Sequence, residues 1–256
     1  MVNRVRELWR QGKVVVNGWL LIPNGFSAEM MAQAGWDSMT VDLQHGVQDY
    51  MSMVACFQAI QAQPVLPLVR IPANEAGIVG KVLDAGAHGV ICPMINTAVQ
   101  AREFVASCKY PPVGRRSNGP VRAGLYAGDT PYQRTANAET LCIPMIETME
   151  SLKNLESILD VPGVDAVYVG PTDLGFSLGL GPALDRGEPD ILAAYQRILR
   201  ETAARGVHAG IHCASAIYAV RMIEMGFRMV TVGWDSAFIN AGARAALAAV
   251  RTREQT

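Results

Sequence analysis

Two apolar runs in the middle of the chain each end in a carboxylate. Leu141 to Ile146 runs into Glu147, and Ala166 to Val169 runs through Gly170-Pro171-Thr172 into Asp173. Short, fully apolar runs bounded by turn residues read as strands buried on both faces, the kind a parallel sheet needs. Between them, Met149 to Leu159 has helical spacing, with Leu152, Leu155, Ile158 and Leu159 on one face. Strand, helix, strand is a βαβ unit, whose right-handed crossover brings both strand C-termini to the same edge. Glu147 and Asp173 are therefore expected side by side. With no lysine or arginine adjoining them, they repel each other unless a proton or a cation sits between them. A divalent, oxygen-seeking ion meets that need, since Mg²⁺ takes one or two protein carboxylates and leaves its other positions to water and substrate. The competing reading is that both acids are N-caps of the helices that follow.

Other strand exits carry polar groups as well. Asp42 and His45 lie three residues apart at the exit of the run Ser38 to Leu43. That spacing lets the carboxylate hold the imidazole in one tautomer and raise its basicity, which makes His45 a candidate general base. A capping Asp beside a surface His is the plainer alternative. Arg70 closes the run Val65 to Val69 and calls for an anion, either an internal Asp42 or Glu147 or a substrate carboxylate or enolate. Gly170 stands where backbone can approach a ligand, and the N–H groups after it can hold an anion. Trp19, Gln44, His212, Trp234 and Asp235 complete the polar and aromatic residues near strand ends.

The elements that must position these groups alternate along the whole chain. An N-terminal helix to about Gln11 precedes strands at Val14–Ile22, Ser38–Leu43, Val65–Val69, Gly89–Cys92, Leu141–Ile146, Ala166–Val169, His208–Ile211 and Met229–Val232. Helices are expected at Ser27–Ala34, Asp49–Gln63, Glu75–Ala85, Thr97–Cys108, Met149–Leu159, Ser215–Met225 and Ala237–Val250. Eight strands alternating with helices over 256 residues, with no shift in composition, point to one (β/α)8 TIM barrel spanning 1–256. In such a barrel the active groups sit on the loops after the strands. Two long connections, Lys109–Thr140 and Leu174–Pro189, are rich in Gly and Pro and are expected to carry function.

Composition excludes several classes. Net charge is −1 with no basic run, which argues against nucleic acid and membrane surfaces as partners. The N-terminal segment is polar and amphipathic, unlike a signal peptide, and no window approaches a membrane span. Five cysteines form no C-x-x-C pair and read as buried, reduced residues of a cytoplasmic protein. The four lysines, Lys13, Lys81, Lys109 and Lys153, fall away from strand ends, which disfavours Schiff-base chemistry. The turns after the last two strands lack the glycine-rich pattern of a phosphate site.

Trp19, Asp42-Leu43-Gln44-His45-Gly46, Arg70-Ile71-Pro72, Leu83-Asp84-Ala85-Gly86-Ala87, Pro144-Met145-Ile146-Glu147-Thr148 and Gly170-Pro171-Thr172-Asp173-Leu174 together resemble the HpcH/HpaI family of class II, metal-dependent pyruvate aldolases. The resemblance spans nearly the whole chain in order and spacing. It implies a divalent ion, Mg²⁺, Mn²⁺ or Co²⁺, on Glu147 and Asp173, and Arg70 on the pyruvate keto oxygen and its enolate. It further implies His45 with Asp42 handling the proton of the aldol hydroxyl, and backbone around Gly170, Thr172 and Asp173 holding the pyruvate carboxylate. Trp19 and Gln44 would face the substrate, and Gln44 replaces a Glu found in several members. The resemblance also implies a hexamer, a trimer of dimers that exchange their last helix, in which Asp84 reaches the neighbour's His45. Two alternatives stand beside it: cleavage of a hydroxyacyl-CoA thioester, with Arg115, Arg116 and Arg122 as phosphate handle, and a non-catalytic barrel that binds a carboxylic acid.

Overall fold

The computed structural model describes residues 2–253; Met1 and residues 254–256 of the expected span lie outside the described residues. Its elements run α1 (Arg4–Arg10), β1 (Val15–Leu20), α2 (Gly25–Ala32), β2 (Ser38–Asp42), α3 (Tyr50–Ile60), β3 (Leu66–Arg70), α4 (Ala76–Asp84), β4 (Gly89–Cys92) and α5 (Ala98–Cys108). They continue with α6 (Tyr132–Glu139), β5 (Leu141–Ile146), α7 (Met149–Lys153), α8 (Leu155–Leu159), β6 (Ala166–Val169), α9 (Pro171–Ser177), α10 (Pro189–Ala204), β7 (His208–Cys213), α11 (Ala216–Met225), β8 (Met229–Val232) and α12 (Asp235–Arg253). The eight strands close into a barrel in sequence order, and β1 pairs in parallel with both β2 and β8. This is the expected (β/α)8 architecture. Among the described residues no helix is long and apolar enough to cross a membrane.

Strand side chains alternate between two cores, because successive residues point to opposite faces of the sheet. One set fills the barrel: Trp19, Leu66, Leu68, Ile91, Leu141, Ile143, Met145, Ala166, Tyr168 and Met229 form a cluster of their own. Their neighbours in sequence, such as Val41, Val69, Val90, Cys142, Val167 and Ile211, pack outward against the helices. All five cysteines are buried and unpaired, as their spacing suggests.

Five elements differ from the sequence reading, the first being α10, for which that reading places no helix. The helix between β5 and β6 is two short ones, broken at Asn154, whose side-chain amide donates to the Asn96 carbonyl at 2.8 Å. The segment after β6 does not begin as a loop, because Pro171 opens α9, and Pro fits the first turn of a helix, where no N–H is needed. The long connection after α5 contains a 3₁₀ turn at Ala123–Tyr126 and the helix α6. β7 runs on to Cys213, so His212 belongs to the barrel wall and not to a loop.

Candidate active site

A cavity of about 350 Å³ opens at the C-terminal end of the barrel, where Trp19, Asp42, His45, Arg70, Gly170, Thr172 and Asp173 meet Tyr168, His212 and Trp234. β2 and β3 are in register with Asp42 opposite Arg70, both pointing inward at the last position of their strands. Arg70 Nε donates to Asp42 Oδ1 at 2.9 Å and Nη2 to Oδ2 at 2.5 Å, a fork-on-carboxylate pair. Trp19 Nε1 donates to the same Asp42 Oδ2 at 3.2 Å, and the Arg70 guanidinium lies 5.0 Å from the Trp19 ring. Burial pushes the Asp42 carboxyl up, but the hydrogen bond and charge of Arg70, together with the hydrogen bonds from the Gln44 N–H and Trp19, outweigh it and hold the group below the usual carboxylate range. The ion pair thus fixes the guanidinium while Nη1 is given no partner among the described residues.

The expected hold of Asp42 on the His45 imidazole is not what the structure contains. Asp42 Oδ1 instead accepts from the backbone N–H groups of Gln44 at 3.0 Å and His45 at 3.3 Å. An aspartate two and three residues before a turn competes for those amides, and with Arg70 and Trp19 also on its oxygens no capacity is left for a ring nitrogen. His45 is exposed at the cavity mouth. The next residue must be glycine, since a Cβ at Gly46 would lie 2.3 Å from the Asp42 carbonyl oxygen. Gln44 lies outside the cavity lining, and its Oε1 is buried without a partner.

Glu147 follows β5 and is 2% exposed. Its Oε1 accepts from the Met94 N–H at 2.8 Å, and Met94 holds φ at 56°, a left-handed conformation rare for a side chain of its size. Gly170 lies against the other oxygen: a Cβ there would sit 2.5 Å from Glu147 Oε2. Burial, reinforced by the charge of Asp173 and opposed by the Met94 hydrogen bond and the Arg70 charge, pushes the Glu147 carboxyl up to about 7. Neither acid is an N-cap. Thr148 caps α7 through a capping box with Ser151, and Asp173 sits inside the first turn of α9, whose cap residue Gly170 offers no side chain. A buried acid raised this far beside a second carboxylate fits a site built for a cation. Among the described residues no cluster of three or more metal-ligating side chains exists.

Thr172 lines the cavity with its hydroxyl turned away, donating to the Ala183 carbonyl at 3.1 Å. Asp84 is not part of this cavity within the chain. Its Oδ1 accepts from Arg116 Nη2 at 2.7 Å, which relieves the unfavourable placement of an acid at a helix C-terminus. The three arginines read as a phosphate handle are mostly internal: Arg116 is buried over Tyr110 and Tyr132, and Arg122 donates to the Ala85 carbonyl and Gln61. Only Arg115 stays exposed. Asp235 is structural, with its oxygens accepting from the Leu21 and Ile22 amides at 3.0 Å each.

Tyr168, Met145, Leu184 and Met94 were not singled out in the sequence. Tyr168 could have been found by counting in twos: from Ala166 inward, every second residue of β6 faces the barrel, which gives Tyr168 and then Gly170. Met94 had no signal, since its role rests on a backbone N–H.

Residues 18–241 match the family model described as HpcH/HpaI aldolase/citrate lyase. The chain is 36% identical over 250 residues to a hydroxypyruvate/pyruvate aldolase of Rhizorhabdus wittichii, covering 98% of this chain and 99% of that protein. It is 34% identical over 247 residues to a 4-hydroxy-2-oxo-heptane-1,7-dioate aldolase of Salmonella dublin, covering 96% and 93%. The crystal structure of an HpcH/HpaI aldolase/citrate lyase family protein from Burkholderia cenocepacia superposes with a TM-score of 0.91 at 33% identity, covering 98% of this chain and all of that one. With the fold, the barrel-end cavity and the full-length likeness in agreement, the chain belongs to the HpcH/HpaI aldolase/citrate lyase family and is an aldolase.

Proposed function

We propose that the protein reversibly cleaves a 4-hydroxy-2-oxo acid into pyruvate and an aldehyde at this cavity, with Glu147 and Asp173 as ligands of one divalent ion. The single observation that carries the reading is Glu147, a 2% exposed acid raised to about 7 by burial and then by the charge of Asp173, against the opposing pull of Arg70, and in no ion pair among the described residues. Mg²⁺, Mn²⁺ and Co²⁺ all suit two carboxylates with open positions, and such an ion supplies Lewis-acid polarisation of the 2-oxo group. Arg70 adds fixed positive charge where the enolate oxygen develops its negative charge, held rigid by Asp42 so that little reorganisation is needed. His45, exposed at the mouth, takes the proton of the aldol hydroxyl in cleavage and returns it in condensation. Backbone around Gly170, Thr172 and Asp173 orients the pyruvate carboxylate, while Trp19 excludes water from the Arg70–Asp42 pair. Gln44, outside the lining, acts on substrate through the turn that carries His45. Release of pyruvate from a 4-hydroxy-2-oxo acid, measured before and after exhaustive chelation and after metal is returned, tests the proposal. Full activity without metal would overturn it.

The assembly proposed is a hexamer, a trimer of dimers that exchange α12. Residues 238–252 of α12 are exposed along their whole length, Phe238, Ile239, Leu247 and Val250 among them, and an isolated helix draws little stability without a packed face. In this assembly Asp84, one quarter exposed beside Arg116, reaches the partner's His45. Mixing His45→Ala with Asp84→Asn after dissociation then restores part of the activity, and failure with assembly confirmed assigns Asp84 to its own chain. Five buried, unpaired thiols support a cytoplasmic setting.

A further inference from the structure

One wall of the cavity has, apart from Trp19, no part in the chemistry above. Trp19 stacks on Tyr168 with ring centroids 5.7 Å apart, meets His212 edge-on at 4.9 Å, and His212 stacks on Trp234 at 6.0 Å. These rings come from β1, β6, β7 and the turn after β8, whereas Glu147 follows β5 and Arg70 ends β3.

Behind the wall, a chain of hydrogen bonds sets where each proton lies. Ser38 Oγ and Thr40 Oγ1 both donate to Asn17 Oδ1, at 2.8 and 3.2 Å, so the Asn17 amide nitrogen points the other way and donates to Thr231 Oγ1 at 2.9 Å. The Tyr168 hydroxyl donates to the same Thr231 oxygen at 2.6 Å. A phenol is the stronger donor of the two hydroxyls, and it makes the shorter contact. With its one proton used there, the Tyr168 oxygen can only accept in its second contact, 3.2 Å from His212 Nδ1. With the Tyr168 proton on Thr231, the ring hydrogen of His212 belongs on Nδ1. Burial, and next the nearby Arg70 cation, push the His212 imidazole down to about 4, which keeps the ring neutral near pH 7. Nε2 is then a lone-pair acceptor with no protein partner among the described residues, on a ring that lines the cavity.

An acceptor set among aromatic faces repels a carboxylate and does nothing for a methyl group. It suits a hydroxyl. We infer that His212 Nε2 accepts a hydrogen bond from a substrate hydroxyl, so that the enzyme selects hydroxylated substrates over their deoxy analogues, with Tyr168 as the positioning residue that fixes the tautomer. The inference rests on the aldolase reading and deepens it. The hydroxyl has two chemical sources: C3 of a 3-hydroxy-2-oxo acid donor, or C2 of the acceptor aldehyde.

The test compares kcat/KM within each variant, so that a general loss of activity cancels. In one arm pyruvate is condensed with lactaldehyde or with propanal; in the other, hydroxypyruvate or pyruvate is condensed with propanal. Wild type is expected to favour the hydroxylated partner in one arm by about tenfold more than His212→Leu does. His212→Gln, whose amide oxygen still accepts, restores part of the ratio. Tyr168→Phe, which frees the tautomer, falls between wild type and His212→Leu, and it decides the question if the leucine variant does not fold. Ratios equal in wild type and these variants in both arms overturn the inference, as does a preference for a carboxylate-bearing aldehyde that depends on His212. Exchange of pyruvate methyl protons with solvent in wild type separates the two levels. Exchange with unmoved ratios overturns the role of His212 alone, while no exchange overturns the aldolase reading together with it.

Discussion

The two ends of the barrel carry nearly the same residue types. At the C-terminal end an Arg70–Asp42 pair lies under Trp19, with His212 4.9 Å from that ring. At the N-terminal end Arg6 and Asp165 pair at 2.8 Å, and Trp9 stacks on His208 at 4.4 Å. Both ends are tied to the backbone: Asp42 accepts from the Gln44 and His45 N–H groups, and at the N-terminal end Asp165 Oδ2 accepts from the Cys142 N–H, Trp9 Nε1 donates to the Arg228 carbonyl, and Arg6 Nη2 donates to the Thr140 carbonyl. At the C-terminal end a surplus remains: among the described residues Glu147 and Asp173 form no ion pair, and His212 uses one ring nitrogen. Residue types alone therefore do not distinguish a site from a plug. Unbalanced charge at an open volume does, with Asp173 in the cavity lining and Glu147 buried against Gly170, because a folded chain retains such groups only against a cost in stability.

Removing the surplus should have the largest effect. Glu147→Gln or Asp173→Asn is expected to lower pyruvate release about 10³-fold or more, on the scale of losing a metal-assisted step. Asp165→Asn at the other end should leave kcat within a few-fold. A comparable loss of kcat from Asp165→Asn, with the protein folded by circular dichroism, would break the comparison.

The arginines come next. Arg70→Lys replaces a fork that meets both Asp42 oxygens by a point charge, and solvent exchange of pyruvate methyl protons should fall about 10²-fold or more. Arg6→Lys should leave that exchange unchanged. His45→Ala is expected to lower aldol cleavage about 10²-fold, the low end for a lost general acid or base. Decarboxylation of oxaloacetate, which forms the enolate without an aldol hydroxyl, should fall less. Equal losses in both reactions would assign His45 to the shape of the site instead.

The smallest effect concerns stability and has opposite signs at the two ends. The folded pKa of Glu147, about 7, lies above its ordinary value of 4.5. Its contribution to stability is therefore full below about pH 4.5 and is lost as pH rises through about 7. In metal-free protein at pH 8, Glu147→Gln should raise stability by about 1–3 kcal/mol, while Asp165→Asn, which leaves Arg6 half-buried and unpaired, should lower it by a similar amount. Added Mg²⁺ or Mn²⁺ should close the gap between wild type and Glu147→Gln. Chemical denaturation at pH 5 and pH 8, with and without metal, reads all three, and a stability that rises from pH 5 to pH 8 because of Glu147 would reverse the sign and sink the argument.

Much of the molecule was legible from the sequence, for local reasons. Runs such as Leu141–Ile146 and Ala166–Val169 are apolar on both faces and can only be inner strands, and the fixed hand of the βαβ crossover then sets Glu147 and Asp173 on one rim. Partner choice was not legible, because it is made through space. Asp42 has His45 three residues away, yet it pairs with Arg70 because barrel register sets β2 against β3 at that position. Asp84 meets Arg116 across a connection whose path no periodicity describes. Tyr168 and His212 share a hydrogen bond only because β6 and β7 lie side by side and send alternate side chains into one closed interior. The sequence by itself determined which elements form and which rim collects the acids. Only closure of the barrel decided which polar atoms are left without a protein partner, since that depends on distances between strands far apart in the chain.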